Sequence, residues 1–181
     1  MNSKLFRRLG YLFLLVVSKS KYFLVTFGVL ALDQISKYIT KNNMRLSQSE
    51  EVLGDFLRYT YIENPGMAFG IDIGNKNLFT VFSIVASLVI FFYLLRTRGD
   101  KKYVKFALAL ILGGAIGNLM DRIRFGAVVD FIDVGIGQLR WPVFNVADSA
   151  VSVGMIILMG IILFEPKKHR EVEEASQPDS S

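Results

Sequence analysis

The sequence predicts an α-helical membrane protein in which four transmembrane helices carry a small β-sheet on the outer surface. Three observations lead there. Of 181 residues, 52% are hydrophobic, 15 of them Phe, which is too apolar for a small soluble domain. The apolar residues gather into runs of membrane length. The 21 basic residues, set against 16 acidic ones for a net charge of +5, lie between those runs rather than along one face. Such placement marks membrane topology and argues against a nucleic-acid partner.

At the N-terminus, Lys4, Arg7 and Arg8 precede the apolar stretch 9–17, resembling the start of a secretory signal. Ser18-Lys19-Ser20-Lys21 follows without a small-residue cleavage site, so residues 1–21 read as an interfacial lead-in. The first span covers residues 22–40 and is interrupted by Asp33 and Lys37. Residues 77–95 carry no charge, and at 1.5 Å per residue they cover roughly 28 Å, the depth of a bilayer's hydrocarbon core. Residues 104–122 and 144–164 supply two more spans, and the polar tail 165–181 reads as disordered. The whole chain is expected to be one integral membrane domain.

Between the spans, residues 45–75 suggest a small outer sheet. Leu57, Tyr59 and Tyr61 alternate with Arg58 and Thr60, and Asn64-Pro65-Gly66 is a turn signal. Residues 126–142 read as irregular structure at the interface, with Trp141 as an anchor. Basic residues then set the orientation. Lys4, Arg7, Arg8, Lys19 and Lys21, the link with Arg96, Arg98, Lys101, Lys102 and Lys105, and the tail with Lys167, Lys168 and Arg170 all belong in the cytoplasm.

Composition also removes whole classes of chemistry. The chain has no Cys, and its one histidine, His169, lies in the charged tail. Disulfide scaffolds, zinc–thiolate sites, thiol nucleophiles, Ser-His-Asp triads and HExxH zinc sites all lose a required residue. A paired-carboxylate site, a carboxylate-bound metal and a Ser-Lys dyad remain, the dyad disfavoured because Ser36 and Lys37, adjacent on a helix, point apart. The predicted topology brings Asp33 and Lys37, Asn118, Asp121 and Arg122, and Asn145 and Asp148 to one depth near the outer leaflet, where ionisable residues usually face a bundle interior and serve a function. Asn118-Leu119-Met120-Asp121 and Asn145-Val146-Ala147-Asp148 each place an amide on the helix face of a carboxylate three residues on. Two neighbouring carboxylates that share a proton suit amide hydrolysis.

Structural readings stand beside these. Asp33 and Lys37 form an i, i+4 ion pair, Asp121 clamps a helix end with Arg122, Asp133 faces water, and Asp148 complements a helix dipole. Gly113-Gly114 with Gly117 reads as helix packing. Asp130, between Val128-Val129 and Phe131-Ile132, sits in apolar surroundings that raise a carboxyl pKa. Either Asp121 or Asp130 can partner Asp148 on this evidence. A small transporter or ion channel using the same carboxylates is the alternative, and a non-catalytic assembly factor a third reading.

Five blocks then carry a resemblance. They are Asp33-Gln34-Ile35-Ser36-Lys37, Asn64-Pro65-Gly66-Met67-Ala68-Phe69-Gly70, residues 113–122 (GGAIGNLMDR), Val128-Val129-Asp130-Phe131-Ile132-Asp133, and Phe144-Asn145-Val146-Ala147-Asp148-Ser149. In this order the chain resembles the lipoprotein signal peptidases, the type II signal peptidases of bacteria, from about residue 32 to 151. The Gly-rich stretch 134–140 is the least similar. The resemblance implies a four-helix bundle with an outer β-cradle and an amphipathic segment above the site. It implies an aspartic endopeptidase, without metal or cofactor, that removes the signal peptide of a prolipoprotein just before a diacylglyceryl-modified Cys. Residue by residue, the catalytic pair falls on Asp130 and Asp148. Asn118, Arg122 and Asn145 form a supporting shell with Asp33, Lys37 and Asp121, and Asn64 and Gly66 belong to the cradle. Expected partners are lipid-modified prolipoproteins and membrane lipids, with the chain a monomer. Expected placement is the bacterial cytoplasmic (inner) membrane, both termini cytoplasmic and the site at the outer leaflet. One carboxyl of the pair activates water and the other supplies the proton; the sequence leaves open which is which.

Overall fold

The computed structural model describes residues 17, 19–66, 76–97, 99 and 101–164, excluding the side chains of residues 76–78. Most of the lead-in, residues 67–70 of the second motif block, Arg98 and the tail 165–181 lie outside the described residues.

Four long helices make the described bundle: α1 (Ser20–Asn43), α2 (Lys76–Arg96), α3 (Lys102–Phe125) and α4 (Val146–Phe164). Helices α1 and α3 run parallel. Thr26 Oγ1 donates to the Ala109 carbonyl at 3.0 Å near one end, and Lys37 Nζ donates to Asn118 Oδ1 at 2.9 Å near the other. Helix α4 runs opposite to α3, so that Gly114 lies against Ala147 and Gly154 against Ala107 and Ile111. Helix α2 also runs opposite: Leu94 packs with Tyr22 and Leu108, while Ser83 meets Arg122 at the far end.

The distribution of polarity is inverted relative to a soluble bundle. On α1 the buried residues are Tyr22, Thr26, Asp33, Lys37 and Thr40, while Leu24, Phe27, Leu32 and Ile35 are exposed. Exposed Val81, Phe82, Val85, Ile156 and Ile162 continue this apolar exterior on α2 and α4. Helices face outward in this way when lipid is the solvent. Of the four, α2, α3 and α4 are long and apolar enough to cross a membrane by length and composition. Asp33, Gln34 and Lys37 lower the hydropathy of α1, so the expected fourth span is not marked by composition.

Small residues set the packing distances. A Cβ on Gly113 would come within 2.8 Å of Val29, and one on Gly117 within 2.5 Å of Asp33 Oδ2, so this glycine run is a helix-packing surface as expected. Helix α3 stops at Gly126, whose φ of +71° allows its N–H to close on the Arg122 carbonyl at 3.0 Å.

The sheet is larger than the expected 45–75 unit. Strands β1 (Ser49–Leu53), β2 (Leu57–Asn64), β3 (Val128–Ile136) and β4 (Leu139–Arg140) form one antiparallel sheet in the order β1-β2-β3-β4. The second connection is therefore strand and hairpin, not irregular structure. Residues 128–131 are buried on both faces, so β3 shows no alternation in its sequence. Tyr61, Val129 and Phe131 form a small core with Met44, Tyr59 and Val146, and the Thr40 hydroxyl meets Tyr59 OH at 2.7 Å, tying the end of α1 to the sheet.

Candidate active site

The polar residues of α1, α3 and α4 meet at the end of the bundle beneath the sheet. Lys37 is the hub. Its ammonium, 3% exposed, contacts Asp33 Oδ2 at 2.9 Å and Asp121 Oδ2 at 2.8 Å and donates to Asn118 Oδ1 at 2.9 Å, which uses all three hydrogens. Gln34 Nε2 links the two carboxylates, donating to Asp33 Oδ2 at 3.2 Å and Asp121 Oδ1 at 3.1 Å. The sequence carries a signal for this role of Gln34, a second polar residue beside Asp33 in an apolar run, that the motif blocks alone do not bring out.

Asp121 is clamped by Lys37, not by its neighbour Arg122 as expected. Adjacent helix residues project about 100° apart, so Arg122 cannot share its face. Asp121 Oδ2 also accepts from the Val129 amide at 3.2 Å, which pins the start of β3 to α3. Asp133 does not face water either. It is buried, with Arg140 Nε at 2.7 Å and Thr60 Oγ1 at 2.8 Å.

Helix α4 begins on a reciprocal cap. The Asp148 amide donates to Asn145 Oδ1 at 2.9 Å, and the Asn145 amide returns to Asp148 Oδ2 at 3.2 Å. Asp33 Oδ1 accepts the Ala147 amide at 2.9 Å. The side chains of the Asn145-x-x-Asp148 motif thus complete a helix start, and the dipole reading of Asp148 holds alongside any chemical one.

The same two asparagines cross to the other carboxylates. Asn145 Nδ2 donates to Asp130 Oδ1 at 2.6 Å, and Asn118 Nδ2 donates to Asp148 Oδ1 at 2.7 Å. Asn145 Nδ2 also reaches Asn118 Oδ1 at 3.1 Å, so one amide chain runs from Asp130 through Asn145 and Asn118 to Lys37. Asn64 Nδ2 completes the Asp130 shell at 3.2 Å. The Asn64 side-chain Oδ1 accepts the Gly66 backbone amide at 3.0 Å in a turn where Gly66 has φ +116° and Phe79 fills the space a Cβ would need. Pairing of β2 with β3 shifts register between Tyr59 and Ile62, a bulge that aligns Asp130 with Ile62.

Among the described residues the five carboxylates of this region divide in two. Asp33 and Asp121 pair with Lys37, and Asp133 pairs with Arg140. Asp130 and Asp148 have amide donors but no cation within ion-pair distance. Asp130 is buried, 2% exposed; burial first, then the Asp148 charge, push its carboxyl up to about 7. Asp148 is only half-buried. The Arg122 guanidinium lies within electrostatic reach of both, donates to Ser83 Oγ at 3.3 Å, and has a buried Nε without a partner.

The comparisons with known proteins agree with one another. The family described as signal peptidase (SPase) II matches residues 25–164. The lipoprotein signal peptidase of Syntrophus aciditrophicus (strain SB) is 46% identical over 143 residues, which is 76% of this chain and 89% of that protein. Those of Moorella thermoacetica, at 42% over 76% of this chain and 89% of that protein, and Listeria monocytogenes serotype 4a, at 36% over 84% and 99%, are also similar. Two solved structures, each described as a bacterial membrane enzyme, superpose with TM-scores of 0.76 and 0.73. The first is 30% identical and covers 84% of this chain and 93% of its own; the second is 32% identical and covers 82% and 95%. Matched over most of its length by sequence and by fold, the chain belongs to the signal peptidase II family.

Proposed function

We propose that Asp130 and Asp148 are the catalytic pair with which this peptidase removes the signal peptide from prolipoproteins, cutting before the diacylglyceryl-modified Cys. Family membership makes the chain a protease and displaces the transporter reading. The observation that carries the assignment of the pair is the division of carboxylates: among the described residues three are held by cations, and these two are not. A carboxylate locked to an ammonium is a poor proton carrier, while an uncompensated one can take and give a proton near neutral pH.

The two members have different roles in this reading. Asp148 starts a helix, where the dipole favours negative charge, and is the more accessible; it acts as the base that takes a proton from the attacking water. Asp130, deeper and pushed up to about 7, holds the proton that goes to the carbonyl oxygen and then to the leaving amine. Asn118 and Asn145 fix the carboxyl orientations, and Asn64 and Gly66 form part of the surface that receives the substrate. Neither metal nor cofactor takes part.

Placement follows from the charges and the inverted helices. The exposed apolar face of α1 supports its being a fourth span despite Asp33 and Lys37, which point inward. Basic residues at the α2–α3 link support cytoplasmic termini, with the carboxylate site and the sheet at the outer leaflet of the bacterial inner membrane. The chain acts as a monomer, on lipid-modified precursors held in the lipid.

Purified protein incubated with a lipid-modified precursor tests the assignment. Asp130→Asn and Asp148→Asn should each reduce cleavage by about 10²-fold or more while the protein inserts and unfolds as the parent does, and EDTA should have no effect. Asp121→Asn should chiefly lower the Tm. A folded, inactive Asp121→Asn beside an active Asp130→Asn moves the pair to Asp121 and Asp148.

A further inference from the structure

Lys37 on α1, Asn118 on α3 and Asn145 ahead of α4 form a buried chain of hydrogen bonds whose direction is fixed at both ends. Backbone groups hold the Asn145 amide one way round. Its Oδ1 accepts the Asp148 amide at 2.9 Å, while its Nδ2 donates to the Val129 carbonyl at 3.3 Å and to Asp130 Oδ1 at 2.6 Å. A backbone N–H can only donate and a backbone carbonyl can only accept, so this side chain cannot turn over.

Lys37 sets Asn118 from the other end. Asn118 Oδ1 accepts from Lys37 Nζ at 2.9 Å and from Asn145 Nδ2 at 3.1 Å, and its Nδ2 donates to Asp148 Oδ1 at 2.7 Å. An ammonium has hydrogens and no acceptor, so only the carbonyl end of the amide can face it. Turned over, Asn118 would set its NH2 against two donors and its oxygen against a carboxylate, mismatches that are costly in a buried site. Asp33 at 2.9 Å and Asp121 at 2.8 Å hold the ammonium in place and keep it charged.

We propose that Lys37 is a positioning residue for cleavage: it fixes the Asn118 amide so that both asparagines present N–H to the carboxylate pair, and the proton that Asp130 holds is left on Oδ2. The inference rests on Asp130 and Asp148 being the catalytic pair. In a neutral carboxyl the carbonyl oxygen is the better acceptor, and the 2.6 Å bond from Asn145 marks Asp130 Oδ1 as that oxygen. Asp130 Oδ2, which Asn64 Nδ2 meets at the longer distance of 3.2 Å, then carries the proton. Asp148 accepts at both oxygens, from Asn118 Nδ2 at 2.7 Å and from the Asn145 backbone amide at 3.2 Å, which is the pattern of an ionised base.

Lys37→Met alone strips two carboxylates of their cation, so the test combines it with Asp121→Asn, which leaves the net charge of the group unchanged. Relative to Asp121→Asn, the double variant should lower kcat about tenfold with KM within about twofold, whereas a purely structural Lys37 would change only the Tm. The parent chain supplies two arms that do not depend on that variant folding. By NMR of the full chain in detergent with isotope-labelled asparagine, the Asn118 Nδ2 hydrogens should contact the Asp148 β-hydrogens and not the Lys37 ε-hydrogens. In the infrared, the carbonyl stretch of protonated Asp130, recognised by its loss in Asp130→Asn, should lie at the low frequency of a strongly hydrogen-bonded acid. Unchanged kcat in a folded double variant, Asn118 hydrogens against Lys37, or a free-carbonyl frequency would each overturn the proposal. Failure of the pair itself reads differently: Asp130→Asn would still cleave while the Asn118 contacts stay as stated.

Discussion

Asp130 and Lys37 represent opposite treatments of a buried charge. Asp130 has hydrogen-bond donors and, among the described residues, no cation within ion-pair distance, and its carboxyl is raised from 3.8 to about 7. The folded chain therefore keeps a proton that the unfolded chain releases, so Asp130's contribution to stability is complete below pH 3.8 and is lost as the pH rises through about 7. If Asp130 is the proton donor, the alkaline limb of the cleavage profile should fall near the same pH, and Asp130→Asn should flatten the stability change in that window. A pH series of Tm and of cleavage on the parent and the variant checks both. Lys37 is compensated twice over. Lys37→Met leaves Asp33 and Asp121 facing each other without a counter-charge and should cost about 3–5 kcal/mol, read as a large drop in Tm or loss of folded protein. The apolar neighbours of Asp130 were legible in the sequence. The Lys37–Asp121 clamp was not, because it joins two helices and no local spacing encodes it.

Helix α4 depends on its neighbours for its start, and α3 approaches it only because glycines line the contact. Asp33 of α1 accepts the Ala147 amide, and Gly117 of α3 leaves room for the Asp33 carboxylate. A methyl at position 117 would press on Asp33 Oδ2 and push it from both Lys37 and the helix start. Gly117→Ala should therefore destabilise by about 1–3 kcal/mol. Gly28, on α1 with open space where a Cβ would sit, is the matched control, and Gly28→Ala should be neutral or stabilising by about 0.5–1 kcal/mol. Thermal unfolding of the two variants in one detergent separates packing from propensity. Element by element, the apolar runs and the alternation in β2 could be read directly. Strand β3 could not: a segment buried on both faces has no period, and its pairing with β2 is set by residues far away in sequence.

The bundle is polar at both ends, with opposite chemistry. At one end carboxylates and amides meet beneath the sheet; at the other Lys19 and Lys105 lie buried against the carbonyls that end α2, with Lys101 and Lys102 exposed beside them. Positive-inside reasoning puts this lysine-rich end on the cytoplasmic side in the proposed orientation. The sheet carries Arg58 and Arg140, and both are paired with acidic side chains. Because the chain has no Cys, single introduced cysteines report without background. Leu139, 85% exposed in the β3–β4 hairpin, and Lys101, exposed before α3, are the two positions to compare. In intact cells whose outer barrier admits the reagent, a thiol reagent that cannot cross the inner membrane should label Leu139→Cys at once. It should label Lys101→Cys only after the inner membrane is opened. Labelling at position 101 in intact cells would invert the topology and move the carboxylate pair to the cytoplasmic side, where a signal peptide that has already crossed the membrane could not present its cleavage point.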